Sequence, residues 1–107
     1  MKLTLLLLVI CSISMAQGGE IFGSVKADGK LVGKGVKIEV QSGTKVYKTE
    51  TDNYGSFRCF ITDKGKCVLK VAFGGASPTL EVYSFAGSTR YDLLLDKKDG
   101  KYQLRRK

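Results

Sequence analysis

Cys59 and Cys67 are the two residues best placed to do covalent chemistry with each other. They frame the run Arg58-Cys59-Phe60-Ile61-Thr62-Asp63-Lys64-Gly65-Lys66-Cys67. A dithiol redox site would read Cys-x-x-Cys, and a structural zinc site needs four thiolate or imidazole ligands. Neither pattern is present, and the chain has no histidine at all. Histidine is the usual general base near neutral pH and the commonest metal ligand, so serine or cysteine triads and His-ligated zinc are excluded. In an oxidising compartment the remaining use of the pair is a disulfide. Closing so short a loop is worth about 2.5 kcal/mol in the loop-entropy account.

The other polar groups carry weaker signals. Asp28, Asp52, Asp63 and Asp99 each stand beside or near a glycine. Such carboxylates bond their own backbone in turns, and none lies in the ligand-dense loop that calcium requires. No metal or cofactor is expected. Lys97, Lys98, Lys101, Arg105, Arg106 and Lys107 form the densest cationic cluster. It could hold a polyanion such as an anionic lipid headgroup, although charges on a last hairpin also discourage edge-to-edge sheet pairing. Nucleic acid is not expected as a partner. Tyr47, Tyr54, Tyr83, Tyr91 and Tyr102 could stack on sugars, or could simply pack.

The beginning of the chain bears on all of this. Met1-Lys2 is followed by an apolar run from Leu3 to Ile13 and then Ser14-Met15-Ala16. A basic start, a short apolar stretch and small residues before a cut are the features of a secretory signal peptide. The run falls short of the ~20 residues that span a bilayer, so no transmembrane anchor is expected. Ile10 before Cys11 is too bulky for a lipidation site. We therefore expect a signal peptide over 1–16 and one domain over 17–107, placed in the periplasm or outside the cell. Removing Lys2 leaves +7 of the formal +8 charge, which favours solubility and draws the protein weakly to anionic surfaces. A domain of this size buries only roughly 60–65% of its unfolded surface, so a covalent staple would help it.

Period-two alternation organises the rest. Ile21, Gly23 and Val25 share one face of a first run, and Val36, Ile38 and Val40 share one face of another. Phe57, Cys59 and Ile61 do the same, as do Cys67, Leu69, Val71 and Phe73. Runs over 45–51, 79–85, 89–96 and 101–105 complete the set, separated by turn residues every eight to twelve positions or so. Asp99-Gly100 between two runs signals a type I′ hairpin. Both cysteines fall in phase with apolar neighbours, which places them toward the core on the two arms of a hairpin. Seven to eight short strands without a helical period predict an all-β sandwich.

Certain spacings carry a resemblance: Gly23-x-Val25, Gly35-Val36-x-Ile38-x-Val40, Thr51-Asp52-x-x-Gly55-x-Phe57 and Gly65-Lys66-x-x-Leu69-x-Val71. The chain resembles the carboxypeptidase regulatory-like domains, with a transthyretin-like (prealbumin-like, Ig-like) sandwich, in the form of a small exported bacterial member. In that family the position of Cys67 often holds an aromatic residue, so a disulfide there is a variation. The resemblance implies an accessory docking or carbohydrate-binding-like module, not an enzyme. A carboxypeptidase needs a separate zinc catalytic domain. The related hydroxyisourate hydrolases need histidines and a Tyr-Arg-Gly-Ser end, whereas this chain ends Arg105-Arg106-Lys107. The expected function is non-catalytic docking to a protein or cell-envelope partner. The alternative is binding of a carbohydrate or polyanion through the tyrosines or the basic cluster.

Export as drawn here has a direct check. Intact mass of the purified protein is expected to correspond to a chain beginning at Gln17, with or without cyclisation to pyroglutamate. A species that retains Met1, or one lipidated at Cys11, overturns that expectation.

Overall fold

The computed structural model describes residues 19–107. The expected signal peptide and its cut after Ala16 therefore lie outside the described residues. Ten strands follow: β1 (Gly19–Ala27), β2 (Lys30–Leu31), β3 (Lys37–Ser42), β4 (Lys45–Glu50), β5 (Ser56–Ile61), β6 (Gly65–Ala72), β7 (Thr79–Ser84), β8 (Ser88–Arg90), β9 (Leu93–Lys98) and β10 (Lys101–Arg106). Eight of them have six residues or more, and β2 and β8 are short additions. They form two sheets packed as a sandwich, which is the expected all-β class.

The first sheet is built around β1. Its first half pairs antiparallel with β5 and parallel with β8. Its second half pairs antiparallel with β2 and parallel with β9, and β10 then closes on β9. The second sheet runs β4-β3-β6-β7, antiparallel throughout. Alternation sends Ile21, Val25, Phe57, Ile61, Leu93 and Leu95 inward from the first sheet, against Ile38, Val40, Leu69, Val71 and Val82 from the second. All of these are buried. Side-chain burial of this kind contributes about 1.5–3 kcal/mol per large aliphatic residue.

The most distinctive sequence motif, Thr51-Asp52-x-x-Gly55-x-Phe57, proves to be architecture. Thr51 Oγ1 donates to the Gly33 carbonyl at 2.7 Å and accepts from the Val36 amide at 2.9 Å. Asp52 Oδ1 accepts from the Tyr54 and Ser56 amides at 2.9 and 3.0 Å. Gly55 sits at φ +71°, and a Cβ there would lie 2.7 Å from the Val32 carbonyl oxygen. Its own carbonyl accepts from the Val25 amide at 2.9 Å. The motif closes a turn and ties it to β1.

Two expectations are corrected here. The run over 89–96 is not one strand, because the chain shifts at Tyr91-Asp92 between β8 and β9. Tyr91 turns its ring into the core, and its carbonyl oxygen occupies the space where a Cβ on Gly23 would stand. Only glycine lets the two backbones approach so closely. The second correction concerns the cysteines. β5 pairs with β1 alone, whereas β6 lies between β3 and β7. Residues 62–64 are thus an arch from one sheet to the other, not a hairpin turn. The Asp-Gly hairpin is as expected, with Asp99 at φ 53° and Gly100 at φ 79°.

Tyr91 also joins the sheets through hydrogen bonds. Its hydroxyl accepts from the Tyr83 amide at 2.8 Å and donates to the Tyr83 carbonyl at 3.3 Å. The Arg106 guanidinium lies 4.4 Å from the Tyr91 ring centroid and covers it. A Tyr91→Phe variant keeps the ring and strands the Tyr83 backbone groups, so its stability should fall by about 1–2 kcal/mol. Urea unfolding should show a lower midpoint at an unchanged slope. A parent-like midpoint would show that the hydroxyl contributes nothing.

Candidate functional site

The groups singled out from sequence do not assemble into one surface. Tyr54 is exposed on the β4–β5 turn, and Tyr83 is half exposed on the outer face of β7. Tyr91 is buried, Tyr47 bonds Thr62 across the arch, and Tyr102 meets Phe73 edge-to-face. Five tyrosines therefore make no common stacking platform. The basic cluster is divided too. Alternation along β9 and β10 puts Lys98, Lys101, Arg105 and Lys107 on one face and Lys97 and Arg106 on the other. Arg105 is paired with Asp96, and Arg106 also donates to the Arg90 carbonyl at 3.1 Å. The six residues are thus distributed over two faces of the hairpin.

The cysteines face each other's sheet. Each stands two residues inside the arch, Cys59 before Ile61 and Cys67 after Gly65, and both point into the core. The structure holds them as thiols. Burial pushes the Cys59 thiol above its ordinary value, and the neighbouring Cys67 adds to the rise. Such a thiol is a poor nucleophile, which suits a structural role over a reactive one.

Sequence reasoning missed the most site-like feature. Because Ile21, Gly23 and Val25 point inward, Glu20, Phe22 and Ser24 must point outward from β1. Register then aligns Arg58, Phe22 and Arg90 in one row across β5, β1 and β8, with Ser56 beside Ser24 in the next. A groove of about 430 Å³ opens over this row and continues to Thr49, Glu50 and Asp52. These side chains are far apart in sequence and share no spacing, so only the register brings them together.

Both arginines are oriented by carboxylates. Arg58 Nε lies 2.8 Å from Glu20 Oε2, and Arg90 Nε lies 2.9 Å from Asp92 Oδ2. Asp92 also accepts from the Ser24 amide and hydroxyl at 3.2 and 3.1 Å. Burial alone would raise its pKa. Hydrogen bonds from Arg90 and Ser24, together with the charge of Arg90, outweigh that and hold the carboxyl below the ordinary aspartate value. Asp92 is therefore a carboxylate at neutral pH, not a proton donor. Among the described residues the terminal Nη groups of both arginines are without a side-chain acceptor, and they remain able to donate to a ligand. Glu50 is balanced by Lys37 at 3.2 Å. Among the described residues that leaves Asp52 as the one groove charge without a counterion, so the site is close to neutral and rich in paired donors and acceptors. Among the described residues no group of acidic, cysteine or histidine side chains could hold a metal ion.

No protein-family model matches the sequence, and no curated protein matches it. Among solved structures the fold is similar to a crystal structure described as that of a "putative carbohydrate binding protein" from Bacteroides uniformis ATCC 8492. The TM-score is 0.52 at 19% identity, over 82% of this chain and 53% of that one. The chain thus spans about half the length of that neighbour, and the likeness is one of fold. No helix among the described residues is long and apolar enough to cross a membrane.

The arch gives the cysteine pair a sharper test than sequence did. Protein made in an oxidising compartment should show no titratable thiol when denatured, and two after reduction. A Cys59→Ala, Cys67→Ala variant should lose about 2–3 kcal/mol of stability, because it unties one sheet from the other. Two free thiols in the oxidised parent would refute the bridge, and an equally stable variant would refute its role.

Proposed function

We propose that this chain is an exported, non-catalytic β-sandwich module of the carboxypeptidase regulatory-like kind that binds a neutral carbohydrate in the groove around Phe22. The observation that carries this reading is the row Arg58–Phe22–Arg90, an aromatic ring between two guanidinium groups already oriented by Glu20 and Asp92. A sugar offers an apolar ring face and a rim of hydroxyls. Phe22 can take the face, the Nη groups can donate to adjacent hydroxyls, and Asp52, Ser24 and Ser56 can accept from others. The near balance of charge in the groove supports a neutral ligand over a polyanion. Binding described for the similar fold points to the same ligand class.

Docking to a protein or envelope partner is a second reading, and one observation favours it. Tyr83 and Phe85 stack at 6.5 Å on the outer face of the second sheet, and both are exposed.

A panel of neutral oligosaccharides, followed by calorimetry on the best ligand, tests the proposal. Phe22→Ala, and separately Arg58→Ala with Arg90→Ala, should each weaken binding by about tenfold or more, equivalent to about 1.4 kcal/mol. Raising the salt concentration should change affinity little, since no net charge is neutralised. Retention of no neutral glycan, or parent-like affinity in both variants, would overturn the carbohydrate reading.

A further inference from the structure

The end of the sandwich formed by the β9–β10 hairpin holds a second concavity of about 490 Å³, lined by Lys97, Lys101 and Tyr102 on one side and by residues 74–78 on the other. Lys97 lies directly across the ladder from Tyr102, with its Nζ 5.3 Å from the ring centroid. The loop that faces them is a tight two-residue turn. Gly74 and Gly75 have φ of 57° and 80°, and Phe73 and Ala76 exchange both backbone hydrogen bonds at 2.9 Å. The amides of the two central glycines are therefore free of the turn's own ladder. Gly74 also lies against the Tyr102 ring, where a Cβ would stand 3.0 Å from Cε2.

We infer that this pocket is an anion site for a phosphate or sulfate group, separate from the groove around Phe22. Two observations support it. Among the described residues neither Lys97 nor Lys101 has a carboxylate within 4.0 Å, a state shared with Lys30, Lys34 and Lys48, so what sets these two apart is the pocket they line. Lysines on an edge strand do discourage sheet pairing, which accounts for Lys98 and Lys101. That explanation does not reach Lys97, which points to the inner side and is held over an aromatic ring. The Lys97 ammonium over Tyr102, with Lys101 at the rim and Ser77 and the glycine turn opposite, suits a tetrahedral oxyanion, whose several oxygens accept from different directions. The signal is local. Of the six cations of the sequence cluster, only these two line the pocket.

The test is a titration of inorganic phosphate, and of glucose 6-phosphate, into ¹⁵N-labelled protein. Amide shifts should centre on Gly74, Gly75, Ser77 and Lys101. A Lys97→Gln, Lys101→Gln variant should bind at least about tenfold more weakly. A Lys30→Gln, Lys34→Gln variant removes the same charge elsewhere and should titrate like the parent. Tighter binding of glucose 6-phosphate than of inorganic phosphate would place a sugar ring beside Tyr102, and equal binding would make the pocket a bare oxyanion site. Equal weakening of both lysine pairs, or shifts spread over all exposed lysines, would overturn the inference and leave only the effect of net charge. A Phe22→Ala variant should leave the titration unchanged, so failure here and failure at the groove are told apart.

Discussion

Nearly every feature of this molecule depends on the backbone of β1 having hydrogen-bonding partners along both edges. A buried strand cannot leave its amides and carbonyls unpaired, because each orphan costs about as much as a lost hydrogen bond. Nine residues meet that demand with four partners, β5 and β8 on the first half and β2 and β9 on the second. The change of partners needs two close approaches. At Gly23 the Tyr91 carbonyl comes where a side chain would be, and at Gly55 the Val32 carbonyl does the same. Glycine at these two positions is therefore a condition of the first sheet and not a loop preference. The Asp52 turn that presents Gly55 is stabilised by its own carboxylate, so the motif and the central strand form one unit.

Once β1 is held, its alternation determines which face can do anything chemical. The inward set is committed to the core. The outward set, Glu20, Phe22 and Ser24, is delivered to the surface with neighbours chosen by register. In the ion pairs of Arg58 with Glu20 and of Arg90 with Asp92 the carboxylates are mostly covered but the guanidinium side stays largely in solvent, and pairs open to solvent on one side contribute little, about 0–1 kcal/mol. Stability is a weak reason to build them. Orientation is a better one, because a guanidinium held through Nε loses less rotamer freedom when its Nη groups engage a ligand.

Much of the fold was legible because period-two alternation is a local signal. The inward residues of β1, β3, β5 and β6 could be read directly, and so could the Asp99-Gly100 hairpin. What was illegible is what alternation does not encode. A short polar link between two strands looks the same whether it turns back in one sheet or arches to the other, and the cysteines were placed on a hairpin for that reason. The break at Tyr91-Asp92 was hidden because its cause lies on another strand, at Gly23. The groove was hidden most completely. Arg58, Phe22 and Arg90 come from three strands, and nothing in the order of residues announces their row.

The charge of the molecule shows why a global property is a poor guide to its sites. A formal +8 suggests affinity for polyanions everywhere. Yet the groove around Phe22 pairs each arginine with a carboxylate, and the outer face of the second sheet pairs Lys70 with Glu39 and Lys66 with Glu81. Counterions within the fold cancel the field at short range, and salt screens what remains beyond about 8–10 Å. Lys97 and Lys101 escape this cancellation and line one pocket. Other lysines, Lys30, Lys34 and Lys48 among them, are also without an ion pair among the described residues, so it is the pocket and not the charge alone that singles out this end of the sandwich, while the middle of the first sheet is suited to a ligand that carries no charge.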